Sequence, residues 1–444
     1  MQGLGLRCRP LSVYGGGSPR DEGGWDMAKL MIEGLHKLDG EIAIHGAKNG
    51  ALPILAATLL ADGTSEISNC PALSDVRASV AILRCLGCRV EQEKNCVRVD
   101  PSGMNRSSVP DSLMREMRSS IVFLGAIAAR AGAAQMSFPG GCELGPRPID
   151  LHLSALRKLG LVIEEEGGRL NCRVPGRLRG ATITLAMPSV GATENILLAA
   201  ATAEGTTVIV NAAREPEISD LCDYLNACGA HIAGAGEGTI TIEGVERLHG
   251  CRHSVIPDRI ELATYMAAAA VTGGRLLLRG ICPVHAAAVL PVFEEAGCRL
   301  DVRSRELLIE APERLHALQT VRTMPYPGFP TDAQAPVMAM ACVGQGTSVF
   351  VETIFENRFR HVDELTRMGA RIKVEGRMAV VEGIPRLSGA QVMCTDLRGG
   401  AALVIAGLAA SGVTEITDLQ HIDRGYENIE SCLAGAGAVI RRGE

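Results

Sequence analysis

The sequence predicts an α/β protein of two domains, in which each domain consists of three copies of one α/β unit. Two observations lead to this prediction. The 444 residues, 47% of them hydrophobic, exceed what a single hydrophobic core usually supports. One sequence pattern also recurs six times at intervals of about 70 residues, which is too long for a solenoid repeat and suits a small α/β unit.

A glycine between a helix and a strand marks each copy. The preceding residues have apolar side chains at helical spacing, as in HVDELTRMG, and the following residues alternate as in a strand, as in ARIKVEGRMAVVEG. A glycine at this place suits the left-handed conformation of a helix C-cap. The glycines are Gly87, Gly160, Gly229, Gly297, Gly369 and Gly437.

A second helix in each copy carries almost no charge on any side. Helices of this composition are buried on most faces. We therefore expect these helices at the centre of each domain and the sheets outside. The six segments are ALPILAATLLADG, SSIVFLGAIAARAG, ATENILLAAATAEG, ELATYMAAAAVTGG, DAQAPVMAMACVGQG and GAALVIAGLAASG.

The chain is expected to cross between the domains twice, near HGAKNGALP and near the turn at Pro257. This places residues 49–256 in an inserted domain. Residues 27–48 and 257–444 form a discontinuous C-terminal domain, in which the segment KLMIEGLHKLDGEIAIHG completes a sheet. Residues 1–26 have neither a continuous apolar core nor a small-residue cleavage site, so we expect a disordered leader rather than a secretory signal.

Composition argues against several classes of protein. A formal net charge of −6 and few aromatic residues speak against nucleic-acid binding. No apolar stretch reaches the roughly 18 residues of a membrane helix. Fifteen cysteines, mostly in apolar segments, suit buried thiols of a reducing cytoplasm better than disulfides. The pair Cys85 and Cys88 has no second pair of metal ligands and no nearby histidine at ligand spacing, so we do not expect a zinc site. The sequence shows no other ligand cluster, and we expect neither a metal nor an organic cofactor.

Two residues lie in sequence contexts that suit catalysis. Lys48 opens the first uncharged helix, where its ammonium and the helix amides would bind an anion; the alternative is a solvated loop lysine. Cys142 lies in the Gly- and Pro-rich segment MSFPGGCELGPRPIDLH, five residues before Arg147. A nearby cation would lower the pKa of this thiol and let it act as an acid or a nucleophile. The alternative is an ordinary thiol.

Arginines recur where the copies join, several of them beside the start of an uncharged helix. A cation beside the positive end of a helix is a local conflict, and such conflicts often mark function. The arginines together favour an anion-binding cleft between the domains. Alternatively, each pairs with a neighbouring carboxylate, namely Asp258, Glu356, Asp396 or Asp423. The arginines are Arg118, Arg147, Arg259, Arg358, Arg398 and Arg424.

Two aspartates, Asp332 in YPGFPTDAQA and Asp396 in TDLRGG, precede uncharged helices. A role as helix N-cap explains both of them. A carboxylate among arginines would also have a lowered pKa, which makes it a weak base unless substrate binding excludes water.

From about residue 27 to the C-terminus, the chain resembles the UDP-N-acetylglucosamine 1-carboxyvinyltransferases, a family of enolpyruvyl transferases. The motifs, in the family's order, are GAKNGALP, FPGGCELGPRPIDLH, PSVGATENI, NAAREPEI, PDRIE, PGFPTDAQA, ETIFENRF, TDLRGG and DRGYE. The resemblance implies an inverse α/β barrel of two domains, each with three βαβαββ-type units. It also implies a cleft for phosphoenolpyruvate and the UDP-sugar, and a cysteine loop that closes over this cleft.

The resemblance also assigns substrate-binding residues. Those expected around phosphoenolpyruvate are Lys48, Asn49, Arg118, Arg147, Arg358, Arg398 and Arg424, with Asp396 in the same region. Those expected around the UDP-sugar are Arg147, Pro148, Ile149, Asp150 and Leu151 for the uridine, Ser189, Val190 and Gly191 for the diphosphate, and Asp332 with the backbone of Ile354 for the sugar. Met187 stands where some members have a lysine, so one diphosphate contact is in doubt.

The implied catalytic residues are Cys142, Asp332, Lys48 and Arg424. Asp332 would take the proton of the sugar 3′-hydroxyl, which attacks C2 of phosphoenolpyruvate, while Cys142 delivers a proton to C3. The tetrahedral phospho-ketal would then lose phosphate, with the cations stabilising the charge. In this family the cysteine is also the residue that the epoxide fosfomycin alkylates.

Two other functions are compatible with this architecture. A shikimate-pathway enolpyruvyl transferase shares the sixfold repeat but has no cysteine loop of the FPGGC form, so Cys142 and the RPIDLH segment speak against it. A catalytically silent paralogue that binds UDP-sugars would not need the catalytic positions, and all of them are present. The expected partners are the two small substrates, with no nucleic acid or membrane, and the expected location is the cytoplasm.

Overall fold

The structure, a computed structural model, describes residues 28–138 and 149–443. It contains 13 α-helices and 27 strands within these residues, numbered here in chain order. None of the described helices is long and apolar enough to cross a bilayer.

Six central helices correspond to the uncharged segments, and nearly all of their residues are buried. They are α1 (Lys48–Ala57), α4 (Phe123–Ala131), α6 (Val190–Ala200), α8 (Arg259–Val271), α10 (Thr331–Ala341) and α12 (Leu397–Ala409). The first three pack together, and so do the last three. The peripheral helices are α2 (Ser74–Cys85), α3 (Asp111–Glu116), α5 (Asp150–Lys158), α7 (Pro216–Ala227), α9 (Leu290–Glu295), α11 (Val362–Arg367) and α13 (Ile429–Gly435).

Six sheets surround these helices, and five of them share one topology, in which the first two strands are parallel and the others antiparallel. In spatial order they are β15 (Arg252–Ser254), β4 (Ser65–Ser68), β6 (Cys96–Asp100), β5 (Arg89–Glu93); β7 (Ala133–Ser137), β9 (Arg169–Arg173), β8 (Val162–Glu166); β10 (Thr182–Thr184), β11 (Thr206–Val210), β13 (Thr239–Glu243), β12 (His231–Ala233); β2 (Asp39–Ala43), β16 (Arg275–Arg279), β18 (Glu306–Glu310), β17 (Arg299–Val302); β19 (Thr320–Arg322), β20 (Thr347–Val351), β22 (Met378–Glu382), β21 (Arg371–Glu375); and β24 (Gln391–Met393), β26 (Val413–Thr417), β1 (Lys29–Glu33), β27 (Val439–Gly443).

The sheet that contains β7 differs from the others because a single residue, Ser108, takes the place of its first strand and bridges in parallel to Gln135. Two short parallel pairs complete the strands: β3 (Ala61–Asp62) with β14 (Leu248–His249), and β23 (Leu387–Ser388) with β25 (Ala410–Ser411). The predicted α/β class, with central helices and outer sheets, is confirmed.

The six repeat glycines all have a left-handed backbone, with φ between 93° and 100°. Each follows the end of a peripheral helix and precedes a strand, as the sequence pattern predicts. A side chain at this φ would strain the backbone, so the glycine requirement is local and recurs in every unit.

The opening segment contributes to two sheets rather than one. Strand β1 pairs with β26 and β27, and β2 pairs with β16. All of these partners lie beyond residue 274, in the region that we assign to the C-terminal domain.

The core forms two hydrophobic clusters. One consists of buried residues between Ala47 and Val255, and the other consists of Leu30 to Ile44 together with Leu262 to Ala438. The predicted domain boundaries at 48/49 and 256/257 stay a prediction, and the division of the core supports them.

The two crossings of the chain lie side by side. The amide of Ala47 donates to the carbonyl of Ile256 at 2.7 Å, and the amide of Asp258 donates to that of His45 at 2.9 Å. Gly46 bridges to Pro257 between them, and it also lies against Asn69, since a Cβ atom there would lie 1.7 Å from the carbonyl oxygen of Asn69. This short ribbon fixes the start of α1 next to the start of α8.

Candidate active site

Lys48 is the first residue of α1 and is buried, with only 7% of its surface exposed. Its Nζ lies 2.7 Å from Oδ2 of Asp75, a buried carboxylate in the first turn of α2. Asp75 also accepts hydrogen bonds from Nε and Nη2 of Arg424 at 3.0 and 3.4 Å. The interpretation of Lys48 as a solvated loop lysine is therefore wrong, since one carboxylate holds two cations from opposite ends of the sequence.

The electrostatics of this group follow from burial and from charge. Burial lowers the pKa of Lys48, Asp75 opposes this change, and the positive charges of Arg424 and Arg398 lower the pKa further. Burial alone would raise the pKa of Asp75, but Lys48 and Arg424 outweigh it and lower the pKa. Among the described residues, Asp75 contacts two cations, Lys48 and Arg424, and a pair of cations suits an anionic ligand.

Asp332 lies between two arginines at the start of α10. Its Oδ1 accepts a hydrogen bond from Nη2 of Arg358 at 2.9 Å, and its Oδ2 accepts one from Nη2 of Arg398 at 3.4 Å. Both arginines are buried, whereas the Asp332 side chain is 28% exposed. Two buried arginines therefore hold a partly exposed carboxylate at the start of α10.

The two aspartates predicted as helix N-caps behave differently. Asp396 is the N-cap of α12, where Oδ1 accepts from the amides of Arg398 and Gly399 at 3.0 and 3.1 Å. For Asp332 the N-cap interpretation is wrong, because Pro330 holds the cap position of α10 and Asp332 is the second helical residue. Its carboxylate is thus available to the arginines.

The alternative that each arginine pairs with its neighbour in sequence is wrong for the four neighbours named. Asp258 and Asp396 cap helices, Glu356 pairs with Arg377, and Asp423 pairs with Arg442. The arginines at these places contact distant carboxylates instead: Arg259 contacts Glu217, Arg358 and Arg398 contact Asp332, and Arg424 contacts Asp75.

The residues expected at the UDP end lie at the starts of α5 and α6. Ser189 caps α6 by accepting from the amide of Ala192 at 3.4 Å, and Val190 and Gly191 follow it, half-buried. The ring of His152, in α5, packs so closely that a Cβ on Gly191 would lie 2.8 Å from Cε1. Burial lowers the pKa of His152 to about 4, so its imidazole is neutral at physiological pH.

The other predicted residues are distributed around this geometry. Ile149 and Leu151 are half-buried at the start of α5, Asp150 is exposed, and Asn49 is half-buried in the first turn of α1. The amide of Ile354 donates to Oε1 of the buried Glu352 at 2.7 Å. Cys142, Arg147, Pro148 and the leader at 1–26 lie outside the described residues, as does the side chain of Arg118.

The structure contains a second buried group, formed by Arg259 and glutamates that were not predicted as site residues. Arg259, at the start of α8, donates to both oxygens of Glu217 at 3.0 and 3.3 Å. Glu194, in α6, is buried nearby, and burial together with the charges of Glu217 and Glu215 raises its pKa to about 8. Glu194 lies in the motif PSVGATENI, and Glu215 and Glu217 lie in NAAREPEI, but the motifs assign them no role. The contact of Arg259 with Glu217 joins residues 42 positions apart, so local sequence does not reveal it.

Glu194 gives a prediction for the pH dependence of stability. Its pKa is raised on folding, so from about pH 4.5 to 8 the folded state holds a proton that the unfolded state has lost, and stability falls with rising pH. One such group changes the free energy of unfolding by up to about 1.4 kcal/mol per pH unit. In urea unfolding, Glu194→Gln should be more stable than wild type at pH 8, and the difference should shrink towards pH 5. Glu204→Gln, at an exposed position, is the control and should leave the free energy of unfolding unchanged at both pH values. A difference between Glu194→Gln and wild type that stayed constant with pH would contradict the prediction.

Within the described residues, no group of three or more His, Cys, Asp or Glu side chains could hold a metal ion.

Known proteins resemble this chain over nearly its whole length. The EPSP synthase (3-phosphoshikimate 1-carboxyvinyltransferase) family model matches residues 32–433. A relative from Caldanaerobacter subterraneus subsp. tengcongensis, named UDP-N-acetylglucosamine 1-carboxyvinyltransferase 2, is 50% identical over 94% of this chain and 100% of its own length. One from Symbiobacterium thermophilum, named UDP-N-acetylglucosamine 1-carboxyvinyltransferase 1, is 50% identical over 99% of each chain. The chain belongs to the UDP-N-acetylglucosamine 1-carboxyvinyltransferase family.

A solved structure supports the fold of this family for the chain. The enolpyruvyl transferase NikO from Streptomyces tendae superposes with a TM-score of 0.85 and 27% identity, covering 94% of this chain and 99% of its own. As a member of the UDP-N-acetylglucosamine 1-carboxyvinyltransferase family, the chain is a transferase with the enolpyruvyl transferase fold, as the motifs predict.

Proposed function

We propose that this protein transfers the enolpyruvyl group of phosphoenolpyruvate to the 3′-hydroxyl of UDP-N-acetylglucosamine and releases phosphate. The observation that carries the proposal is the convergence of Lys48, Arg424, Arg398 and Arg358 around Asp332 and Asp75. This arrangement supplies fixed positive charge for a small dianion and one directed carboxylate. The names of the relatives support the choice of substrates.

In this proposal the reaction is an addition followed by an elimination. Asp332 takes the proton of the 3′-hydroxyl as its oxygen attacks C2, and Cys142 protonates C3. Loss of phosphate from the tetrahedral intermediate then leaves the enolpyruvyl ether. The cations act on charge that is present in each of these states, in a site whose low exposure strengthens every electrostatic interaction.

The biological setting follows from the reaction. Its product would enter peptidoglycan synthesis at the first committed step, and so contribute to cell-wall biogenesis, cell shape and division. We place the protein in the cytoplasm, with small-molecule substrates as its partners.

Phosphate release from the purified chain tests the proposal. Phosphate should appear with phosphoenolpyruvate and UDP-N-acetylglucosamine together, and not when shikimate 3-phosphate replaces the UDP-sugar. Phosphate release from phosphoenolpyruvate with shikimate 3-phosphate, but not with the UDP-sugar, would identify the shikimate-pathway activity. Binding of the UDP-sugar without phosphate release would identify a silent paralogue.

We expect Met187 to weaken binding of the UDP-sugar diphosphate. Its side chain is 52% exposed, two residues before the N-cap of α6, where some members of the family have a lysine. Met187→Lys should lower KM for UDP-N-acetylglucosamine about 2- to 5-fold at low salt, since an exposed charge contact contributes at most about 1 kcal/mol. Met393→Lys, at an equally exposed position on β24, is the matched control and should have no effect. Equal changes in both variants would indicate a general effect of net charge.

Cys142 gives a chemical test of the cysteine loop. We expect fosfomycin to inactivate the protein by modifying Cys142 alone, because the proposed site would bind its phosphonate in place of phosphoenolpyruvate. Burial raises the pKa of Cys70, Cys222 and Cys298 to about 12, which disfavours the reactive thiolate at these cysteines. Peptide mapping should place the label on residue 142, and Cys142→Asp should resist it. Label spread over several cysteines would contradict the assignment.

A further inference from the structure

Arg398 depends on very few contacts. Its Nη1 donates to the hydroxyl of Tyr426 at 3.1 Å, and its Nη2 donates to Asp332 at 3.4 Å. Among the described residues its buried Nε has no hydrogen-bond partner. The guanidinium is 2% exposed, so water cannot readily replace a lost contact. The position of this group therefore depends on Tyr426.

The proton of the Tyr426 hydroxyl can be located from its second neighbour. Its oxygen lies 2.8 Å from Oγ1 of Thr264, in the middle of α8. Oγ1 of Thr264 also donates to the carbonyl of Ile260, one turn earlier, at 3.0 Å. A threonine hydroxyl has one proton, so Thr264 can only accept from Tyr426. The Tyr426 proton then points at Thr264, and its lone pairs face Arg398.

The charge state of the phenol agrees with this direction. Burial raises the pKa of Tyr426, although Arg398 and Thr264 act in the opposite direction. The phenol is therefore neutral at physiological pH and both donates and accepts. Its ring also lies under the guanidinium, with 5.4 Å from Cζ of Arg398 to the ring centroid.

We propose that Tyr426 and Thr264 are positioning residues for the reaction, in which Thr264 orients the Tyr426 hydroxyl so that it accepts from Arg398. This links the middle of α8 to the starts of α12 and α10, so that three central helices set one guanidinium and, through it, Asp332. The inference rests on the proposed function, because it assumes that Arg398 acts on phosphoenolpyruvate.

The test is a double-mutant cycle with a matched control. Tyr426→Phe should lower kcat/KM for phosphoenolpyruvate about 10- to 100-fold, the range for a hydrogen bond to a charged group, with KM for the UDP-sugar within about twofold. Thr264→Val should give a smaller loss in the same parameter. The double variant should lose no more than Tyr426→Phe alone, because Thr264 acts only through the tyrosine.

Thr272 provides the control, since its Oγ1 also donates one turn back in α8, to Ala268 at 2.9 Å. Thr272→Val should keep wild-type kcat/KM. Additive losses in the double variant, or equal losses in the two valine variants, would overturn the inference and indicate packing alone. If Tyr426→Phe fails to fold, the comparison of Thr264→Val with Thr264→Ser tests the inference instead. Serine keeps the hydroxyl that accepts from Tyr426, so Thr264→Ser should retain the activity that Thr264→Val loses.

The same cycle measured by urea unfolding needs no substrate. The effects of Tyr426→Phe and Thr264→Val on the free energy of unfolding should again be non-additive, and additive effects would overturn the inference. If the wild type released no phosphate but the unfolding cycle were non-additive, the proposed function would be wrong. The hydrogen bonds that link Thr264, Tyr426 and Arg398 would still be supported.

Discussion

Replacing Arg398 by alanine is expected to lower kcat/KM for phosphoenolpyruvate at least about 100-fold, because a charge-assisted contact in a water-poor site contributes roughly 2–4 kcal/mol. Burial opposes the charge of Arg398, but Tyr426 and Asp332 raise its pKa, so the residue is a permanent cation. Alanine removes that charge. It also removes the hydrogen bond to Oδ2 of Asp332, whereas the hydrogen bond from Arg358 to Oδ1 is retained.

The fold should tolerate this change. The cap of α12 uses the backbone amide of residue 398, which alanine retains. Arg371→Ala is the matched control, because Arg371 forms a 2.7 Å ion pair with Glu382 on an outer sheet. Steady-state kinetics with each substrate varied, together with the melting temperature, distinguish a loss of catalysis from a loss of stability. Near-normal turnover in a folded Arg398→Ala variant would place the phosphoenolpyruvate site elsewhere.

The repeat and the central helices can be predicted from sequence because their causes are local. A left-handed C-cap requires glycine at its own position, and a helix without charged residues must be buried whatever packs against it. Helix N-caps such as Asp396 and Asp258 are also local, since each accepts from amides two and three residues on. These features fix the fold class without any knowledge of tertiary contacts.

The ion pairs of the site cannot be predicted in this way because their partners are distant in sequence. Asp75 and Arg424 lie 349 positions apart, and nothing in SDVRAS distinguishes Asp75 from an ordinary residue of a first helical turn. Local rules also assign Asp332 wrongly as a helix N-cap. Pro330 occupies the cap position of α10, and the Asp332 carboxylate accepts hydrogen bonds from two arginines instead. The resemblance identifies the cations and Asp332, whereas the structure identifies Asp75 and shows which arginines contact Asp332.

Asp332→Asn should lower kcat about 10²- to 10⁴-fold with a smaller change in either KM, the range for loss of a general base. The two arginine contacts reach different oxygens, Oδ1 from Arg358 and Oδ2 from Arg398. An amide offers one acceptor oxygen, and its NH₂ would face a guanidinium. The variant therefore loses the base and part of the geometry that aims it. Asp301→Asn, at an exposed aspartate of β17 paired with Arg303, is the control and should keep wild-type kcat.

The pH profile separates a base from a residue that only binds the sugar. A carboxylate acts as a base only in its ionised form, so the wild-type kcat should have a limb at acidic pH if Asp332 takes the proton. Asparagine does not titrate, so this acidic limb should disappear from the residual activity of Asp332→Asn. A variant that kept the limb, or that raised KM for UDP-N-acetylglucosamine while kcat stayed near wild type, would assign the proton transfer to another group. Asp332 would then orient the sugar, and the arginines around it would serve binding rather than the addition step.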